Sequence, residues 1–65
     1  MNSTGTRLKI ARINSGLRQN QVVELLKKRG YDISQNTLSR YENDQREIGI
    51  ELLKQLSLIY KVRVE

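Results

Sequence analysis

The chain has 65 residues, and its twelve Lys and Arg against seven Asp and Glu give a net charge of +5 and a pI near 10.0. This length suits one small domain with a marginal core, and the basic charge favours nucleic acid as a partner, although acidic proteins or anionic lipids would also be attracted. The chain contains no Cys and no His, which excludes disulfides, thiolate metal sites and the commonest general base, so we expect neither an enzyme nor a metal or other cofactor site.

The first six residues are polar and lack the basic stretch followed by an apolar stretch that marks a secretory signal. No later apolar run approaches the ~20 residues that a membrane-spanning helix needs. We therefore expect a cytoplasmic protein with no membrane partner.

The first predicted helix runs from about Thr6 to Ser15. Thr4 or Thr6 is the expected cap, and Gly16 is expected to end the helix in the left-handed conformation that glycine adopts without strain. Two sets of apolar residues lie along this helix, and the sequence leaves open which set is deeper: Leu8 with Ala11, and Ile10 with Ile13 and Leu17.

A second helix is predicted from about Gln19 to Arg29, with Gly30 as its stop and Arg18 at the cap position, where Ser or Thr is usual. Its expected buried stripe comprises Val22, Val23, Leu25 and Leu26. The three cations at residues 27–29 complement the free carbonyls of the helix terminus, an interpretation that we favour over a DNA-binding patch.

The third predicted helix carries the most informative pattern in the chain. Ser34 is a favoured cap, so a short helix is expected to begin beside it and to continue to Glu42. At ~100° per residue, four polar residues of this helix share an arc of roughly 140°, and the remaining residues face the other way. The four are Gln35, Asn36, Ser39 and Arg40.

The side chains of this arc match the chemistry of DNA base edges. Gln and Asn can bond adenine bidentately, Arg can do the same to guanine, and Ser is adaptable. We therefore interpret Gln35, Asn36 and Arg40 as base-reading residues. Ser39 is a further candidate, although its hydroxyl could instead bond a carbonyl of its own helix. The alternative for the whole arc is an ordinary solvated helix face.

Residues 43–48 form a predicted polar loop, and a fourth helix is expected from Gly49 to about Tyr60. Its predicted inner face comprises Ile50, Leu53, Leu56 and Tyr60. The helix is more apolar than one stripe requires, and the surplus residues could form a dimer seam or pack on a further C-terminal segment. These surplus residues are Leu52, Leu58 and Ile59.

Two helices joined by a turn, with a base-reading face on the second, follow the helix-turn-helix plan. Over nearly its whole length the sequence resembles the lambda-repressor-like (Cro/repressor-type) helix-turn-helix DNA-binding family. The segment 34–43, which reads SQNTLSRYEN, carries the most specific part of the likeness. The other matching positions are Arg7-Leu8-Lys9, Arg12, Gly16-Leu17, Gln19, Ile33, Ile50-Glu51 and Leu53.

The resemblance implies an all-α domain of four to five helices, with roles for individual residues. Arg12 is expected to pair with Glu42 and to brace the fold, and it could also touch a phosphate. Gln19, in the first turn of the second helix, is expected to grip a phosphate, reinforced by the free N–H groups of that helix end. A phosphate contact at Arg18 would offset the weak cap that this residue makes.

Further phosphate contacts are expected around the third helix. Similar proteins lay the loop after this helix along the DNA backbone, which makes Asn43, Gln45 and Arg46 candidates, although Asn43 could instead brace the loop. Thr37 is turned mostly inward, so any contact that it makes with DNA would be to a phosphate.

The sequence departs from the family pattern in two places that affect the fold. Gln19 and Ser34 are fifteen positions apart, and about five residues, roughly 27–31, are extra; they are expected to lengthen the second helix and to enlarge the turn. The fifth helix would begin near Arg63, so residues 1–65 are interpreted as the N-terminal DNA-binding part of a longer regulator.

The functional hypothesis is therefore a transcriptional regulator, expected to be a repressor, that binds a double-stranded DNA operator as a homodimer. The competing hypothesis is a protein-binding module, such as an antitoxin or an adaptor, built on the same fold. A polar arc favours DNA, since a protein groove would be expected to present aromatic anchors. No small-molecule ligand is evident from the sequence.

Overall fold

A computed structural model describes residues 3–62 of the chain, and this part contains four helices and no strand. The predicted all-α fold is confirmed. The start of a fifth helix near Arg63 lies outside the described residues. The helices are α1 (Thr4–Asn14), α2 (Gln19–Lys28), α3 (Gln35–Glu42) and α4 (Ile50–Tyr60).

The ends of α1 and α2 follow from local sequence. The cap of α1 is Ser3, whose Oγ accepts a hydrogen bond from the Thr6 N–H at 3.1 Å, so the prediction of Thr4 or Thr6 was wrong. Gly16 and Gly30 follow the ends of α1 and α2 with φ of 73° and 90°, which confirms both predicted stops. In each case the next residue bonds back to the last turn of the helix, and in α2 the Tyr31 N–H donates to the Leu26 carbonyl at 2.9 Å.

The turn between α2 and α3 spans residues 29–34, whereas three or four residues are typical of this motif. Its apolar members, Tyr31 and Ile33, pack against the core. Arg29 Nε donates to Gln55 Oε1 at 2.7 Å and so ties the end of α2 to α4. The enlarged turn is therefore anchored at both ends.

All four helices contribute to one core, in which α3 packs against α1 and α2. Its fully buried side chains are Leu8, Val22, Leu26, Leu38 and Leu56. On α1 the deeper set is Leu8 with Ala11, whereas Ile13 is 56% exposed.

The prediction that Ile50 faces inward was wrong. Ile50 is the first residue of α4 and is 70% exposed, and Leu52 is buried instead.

The start of α1 lies against the end of α3 at Gly5. A Cβ atom at this position would lie 2.4 Å from the Tyr41 carbonyl oxygen and 2.8 Å from that of Glu42. Both atoms belong to backbone, which cannot move aside as a flexible side chain can. Only glycine allows the two helix ends to approach this closely.

We expect Gly5→Ala to lower the free energy of unfolding by about 1–2 kcal/mol, because the cost of overpacking exceeds the gain in helix propensity. Gly49→Ala is the control for a Cβ without a steric conflict, since a Cβ there meets nothing within 4 Å; because Gly49 caps α4, this variant should still lose about 0.5 kcal/mol. Urea titrations of both variants measure the effect. Equal losses in the two variants would show that the close approach at Gly5 is not a constraint.

Candidate nucleic-acid interface

The start of α3 is fixed by Ser34. Its Oγ accepts a hydrogen bond from the Thr37 N–H at 3.1 Å, and its hydroxyl also contacts the Thr37 Oγ1 at 3.0 Å. This capping places Gln35 and Asn36 in the first turn of the helix, as predicted. Thr37 is half-buried, and its side chain takes part in the cap.

The two faces of α3 differ as the helical periodicity of the sequence predicts. Leu38, Tyr41 and Glu42 are buried against the rest of the domain. The outward face, which we define as Gln35, Asn36, Ser39 and Arg40, is exposed except at Ser39, which is half-buried. Ser39 Oγ accepts a weak hydrogen bond from Asn43 Nδ2 at 3.4 Å. The hydroxyl of Ser39 is thus engaged with a side chain rather than with a carbonyl of its own helix.

A buried ion pair supports this helix from beneath. Arg12 Nε donates to Glu42 Oε2 at 2.8 Å, and Arg12 Nη2 donates to Glu42 Oε1 at 3.3 Å. A third bond runs from Arg12 Nη1 to the Leu17 carbonyl at 2.9 Å, in the turn between α1 and α2. The Glu42 side chain is only 1% exposed and that of Arg12 is 12% exposed. One guanidinium therefore joins α1, this turn and the end of α3.

The buried Glu42 carboxylate is linked to the surface of the domain by hydrogen bonds through Gln19. Gln19 Nε2 donates to Glu42 Oε1 at 3.0 Å, and Gln19 Oε1 accepts from Gln35 Nε2 at a weaker 3.4 Å. Because the Glu42 oxygens can only accept when ionised, the Gln19 amide must turn its own oxygen toward Gln35. The first turns of α2 and α3 are joined by this pair of amides, one half-buried and one exposed.

The remaining predicted residues flank α3 on two sides. Arg18 is exposed at the start of α2, where its backbone N–H donates to Gln21 Oε1 at 2.8 Å. The Arg18 guanidinium has only donor groups, so it cannot accept a hydrogen bond from a free N–H of the helix as a Ser or Thr cap would. Asn43, Gln45 and Arg46 are exposed after the end of α3. The Arg46 guanidinium lies over the Tyr41 ring, 5.8 Å from its centroid, which restrains this long side chain.

Two residues that position this region were missed by sequence reasoning. Asp44 has a left-handed φ of 57°, and its Oδ1 accepts a hydrogen bond from the Gly5 N–H at 3.1 Å. A readable signal existed for Asp44, since Asp is among the few residues that tolerate this conformation after a helix. No local pattern indicates its contact with Gly5, which lies 39 positions away.

Tyr60 is a buried phenol close to the ion pair. Its hydroxyl has no hydrogen-bond partner among residues 3–62. Burial raises the pKa of Tyr60 far above its usual value; the Glu42 carboxylate raises it further, and Arg12 partly counters the rise. The neutral phenol is therefore strongly favoured in the folded state.

We expect Tyr60→Phe to leave stability at pH 7 unchanged or to raise it by up to about 1 kcal/mol, because the lost hydroxyl is unpaired. In the unfolded chain this phenol ionises near pH 10.0, whereas the folded form stays neutral, so the wild type loses stability above that pH. The advantage of the variant should grow by up to about 1.4 kcal/mol per further pH unit.

Urea titrations at pH 7 and pH 10.5 measure both effects, with Tyr31→Phe as the half-buried control. A loss of more than about 1 kcal/mol at pH 7 in Tyr60→Phe would mean that the hydroxyl has a partner in solution.

Within residues 3–62, no helix is both long and apolar enough to cross a membrane. The same part of the chain contains no group of three or more acidic side chains placed to hold a metal ion.

A pair of helices joined by a turn, with the outer face of the second helix exposed and polar, defines the helix-turn-helix class. A family model described as Helix-turn-helix matches residues 8–65. The chain belongs to this family, the lambda-repressor-like or Cro-type helix-turn-helix domains, and is a DNA-binding domain. Comparisons with curated proteins and with solved structures found no significant match.

Proposed function

We propose that this domain binds specific sites in double-stranded DNA as a homodimer and represses transcription, with α3 lying in the major groove. The observation that carries the proposal is the division of α3 into a buried face and a polar outward face. The groove admits a single helix, and a helix held firmly on one side can present its other side to base edges.

Three side chains of the outward face are assigned to base readout. Gln35 and Asn36 lie in the first turn of α3, and Arg40 follows one turn after Asn36. Gln35 donates one amide hydrogen to Gln19, which leaves its oxygen and its second hydrogen available, the pair of groups that adenine requires. Ser39 is assigned a supporting contact, since its hydroxyl already meets Asn43.

Contacts to the phosphate backbone are assigned to both sides of α3. Arg18 and Gln19 occupy the open end of α2, where free backbone N–H groups favour an anion. Asn43, Gln45 and Arg46 occupy the loop after α3, and Thr37 contributes at most through its half-buried hydroxyl. Such contacts set the register of the protein on the duplex, and the base contacts supply the specificity.

The homodimer is inferred from the geometry of readout. One recognition helix covers only a half-site, so proteins of this plan commonly pair across a near-palindrome. Leu58, on α4, is 59% exposed, and an exposed apolar side chain of this kind can pack against a second copy of the domain. A selection of bound duplexes from a random pool should enrich an inverted repeat. Enrichment of a single half-site, or of no sequence, would argue against the dimer or against specific binding.

Affinity for duplex DNA should fall steeply with salt concentration. The net charge of +5 and the assigned phosphate contacts imply release of counterions from DNA. Each neutralised phosphate should contribute about 0.9 to the slope of log affinity against log salt. Titrations by fluorescence anisotropy between low and physiological salt would measure this slope, and a flat dependence would overturn the proposal.

A further inference from the structure

The contact between Asp44 and the start of α1 has no part in base or phosphate recognition as assigned above. Asp44 follows Asn43, the residue that caps the end of α3, and lies within the loop after this helix. Its N–H donates to the Tyr41 carbonyl at 3.3 Å, and the next N–H, of Gln45, donates to the Arg40 carbonyl at 2.9 Å. These bonds require the left-handed φ of 57° at Asp44, a conformation that costs any residue other than glycine some strain.

The Asp44 side chain offsets this strain by a bond to a distant element. Its Oδ1 accepts from the Gly5 N–H at 3.1 Å. Gly5 is the second residue of α1, so its N–H has no partner within its own helix. The carboxylate also lies at the positive end of the α1 dipole, where a negative charge is stabilising. The missing side chain at Gly5 is what allows the contact, since a Cβ would lie 2.7 Å from this oxygen.

Asp44 lies between the residues to which phosphate contacts are assigned. Asn43 precedes it, and Gln45 and Arg46 follow it directly. A carboxylate in such a loop would repel phosphates if it projected toward DNA. Here the charge is instead bonded to a backbone N–H of α1. The contact thus directs the Asp44 carboxylate toward the start of α1 and links the exposed loop to that helix.

We propose that Asp44 and Gly5 form a clamp that sets the conformation of loop 43–46 before DNA binds, which makes Asp44 a positioning residue for the phosphate contacts. This inference rests on the proposed function, because it assigns the loop to the DNA backbone. The clamp reduces the ordering that binding would otherwise require of Asn43, Gln45 and Arg46. It contributes nothing to the choice of base.

Two substitutions separate the clamp from a simple effect of charge. Asp44→Asn keeps an acceptor oxygen and tolerates the left-handed conformation, whereas Asp44→Gly keeps the conformation and loses the acceptor. Both variants remove one negative charge. Glu47→Gln, at an exposed position of the same segment, is the matched control for that charge.

In the free protein, hydrogen exchange at the Gly5 amide should be faster in Asp44→Gly than in Asp44→Asn, measured by NMR under conditions where both variants are fully folded. With duplex DNA, Asp44→Gly should bind about tenfold more weakly than Asp44→Asn. Its salt slope should fall by about one, as when one phosphate contact is lost, and its preferred sequence should not change. A purely structural role would lower the melting temperature without changing the slope.

The clamp is overturned if Gly5 exchange and the salt slope are the same in Asp44→Gly and Asp44→Asn. It is also overturned if both variants bind DNA more tightly to the extent that Glu47→Gln does, because Asp44 would then act through charge alone. Failure of the wild type to bind duplex DNA would instead overturn the proposed function. In that case faster Gly5 exchange in Asp44→Gly would still establish the contact itself, and only its purpose would be lost.

Discussion

Arg12→Met is expected to lower the free energy of unfolding by about 3–5 kcal/mol, because it leaves the Glu42 carboxylate buried without its charged partner. Glu42 is 1% exposed and would retain only the Gln19 amide as a side-chain donor among the described residues. The variant also loses the bond from Arg12 to the Leu17 carbonyl, which holds the turn before α2. For a domain of this size, a loss of this magnitude approaches the total stability.

A double-mutant cycle tests whether the two charges act as a pair. Glu42→Gln alone should cost less than Arg12→Met, since the stranded guanidinium is 12% exposed and can reach water. The double variant should cost less than the sum of the two single variants, because neither charge is then stranded. Arg7→Met, on the exposed side of α1, is the control for the substitution itself. Additive losses below 1 kcal/mol would mean that the pair does not brace the fold.

The same ion pair, which stabilises the fold, is also linked by hydrogen bonds to the outward face of α3. Arg12 holds Glu42, Glu42 orients the Gln19 amide, and Gln19 meets Gln35. If the ion pair between Arg12 and Glu42 is weakened, we therefore expect the position of Gln35, and with it the contact of Gln35 with a base, to change even where the domain remains folded. Arg40 lies outside this series of bonds, so its contribution to binding can be measured separately.

The sequence predicts α3 well because local signals agree there. Ser34 is both a favoured cap and the observed cap, and the helical periodicity separates the buried Leu38 from the exposed Arg40. At Ile50 the helical periodicity was misleading, since this apolar residue at the start of α4 is 70% exposed. Periodicity identifies faces of a helix but does not show where a neighbouring helix ends.

The contacts between distant segments are less accessible from sequence. Gly5 and Asp44 depend on how closely the start of α1 approaches the end of α3, a property of the packed domain rather than of either segment. Gln19 has a role in the structure that spacing alone did not indicate, since it bonds both Glu42 and Gln35. Such roles appear only when three helices are placed together.

Arg40→Ala is expected to weaken binding to the preferred site by about 1–3 kcal/mol and to relax the preference at one base position. Arg40 is exposed on the outward face, and a guanidinium there can bond two acceptors of guanine at once. Arg40→Lys keeps the charge but loses the bidentate fork, so it should recover little of the preference. Arg46→Ala should instead weaken all sequences about equally and lower the salt slope by about one.

The most direct test of readout by α3 is the affinity of the wild type, Arg40→Ala and Arg46→Ala for a series of sites, each changed at one base pair. We expect the Arg40→Ala profile to become flat at a single base position and to match the wild-type profile at the others. The Arg46→Ala profile should keep its shape at uniformly lower affinity. If Arg40→Ala lowers affinity for every site by the same factor, α3 does not read bases through Arg40, and the proposed recognition is wrong.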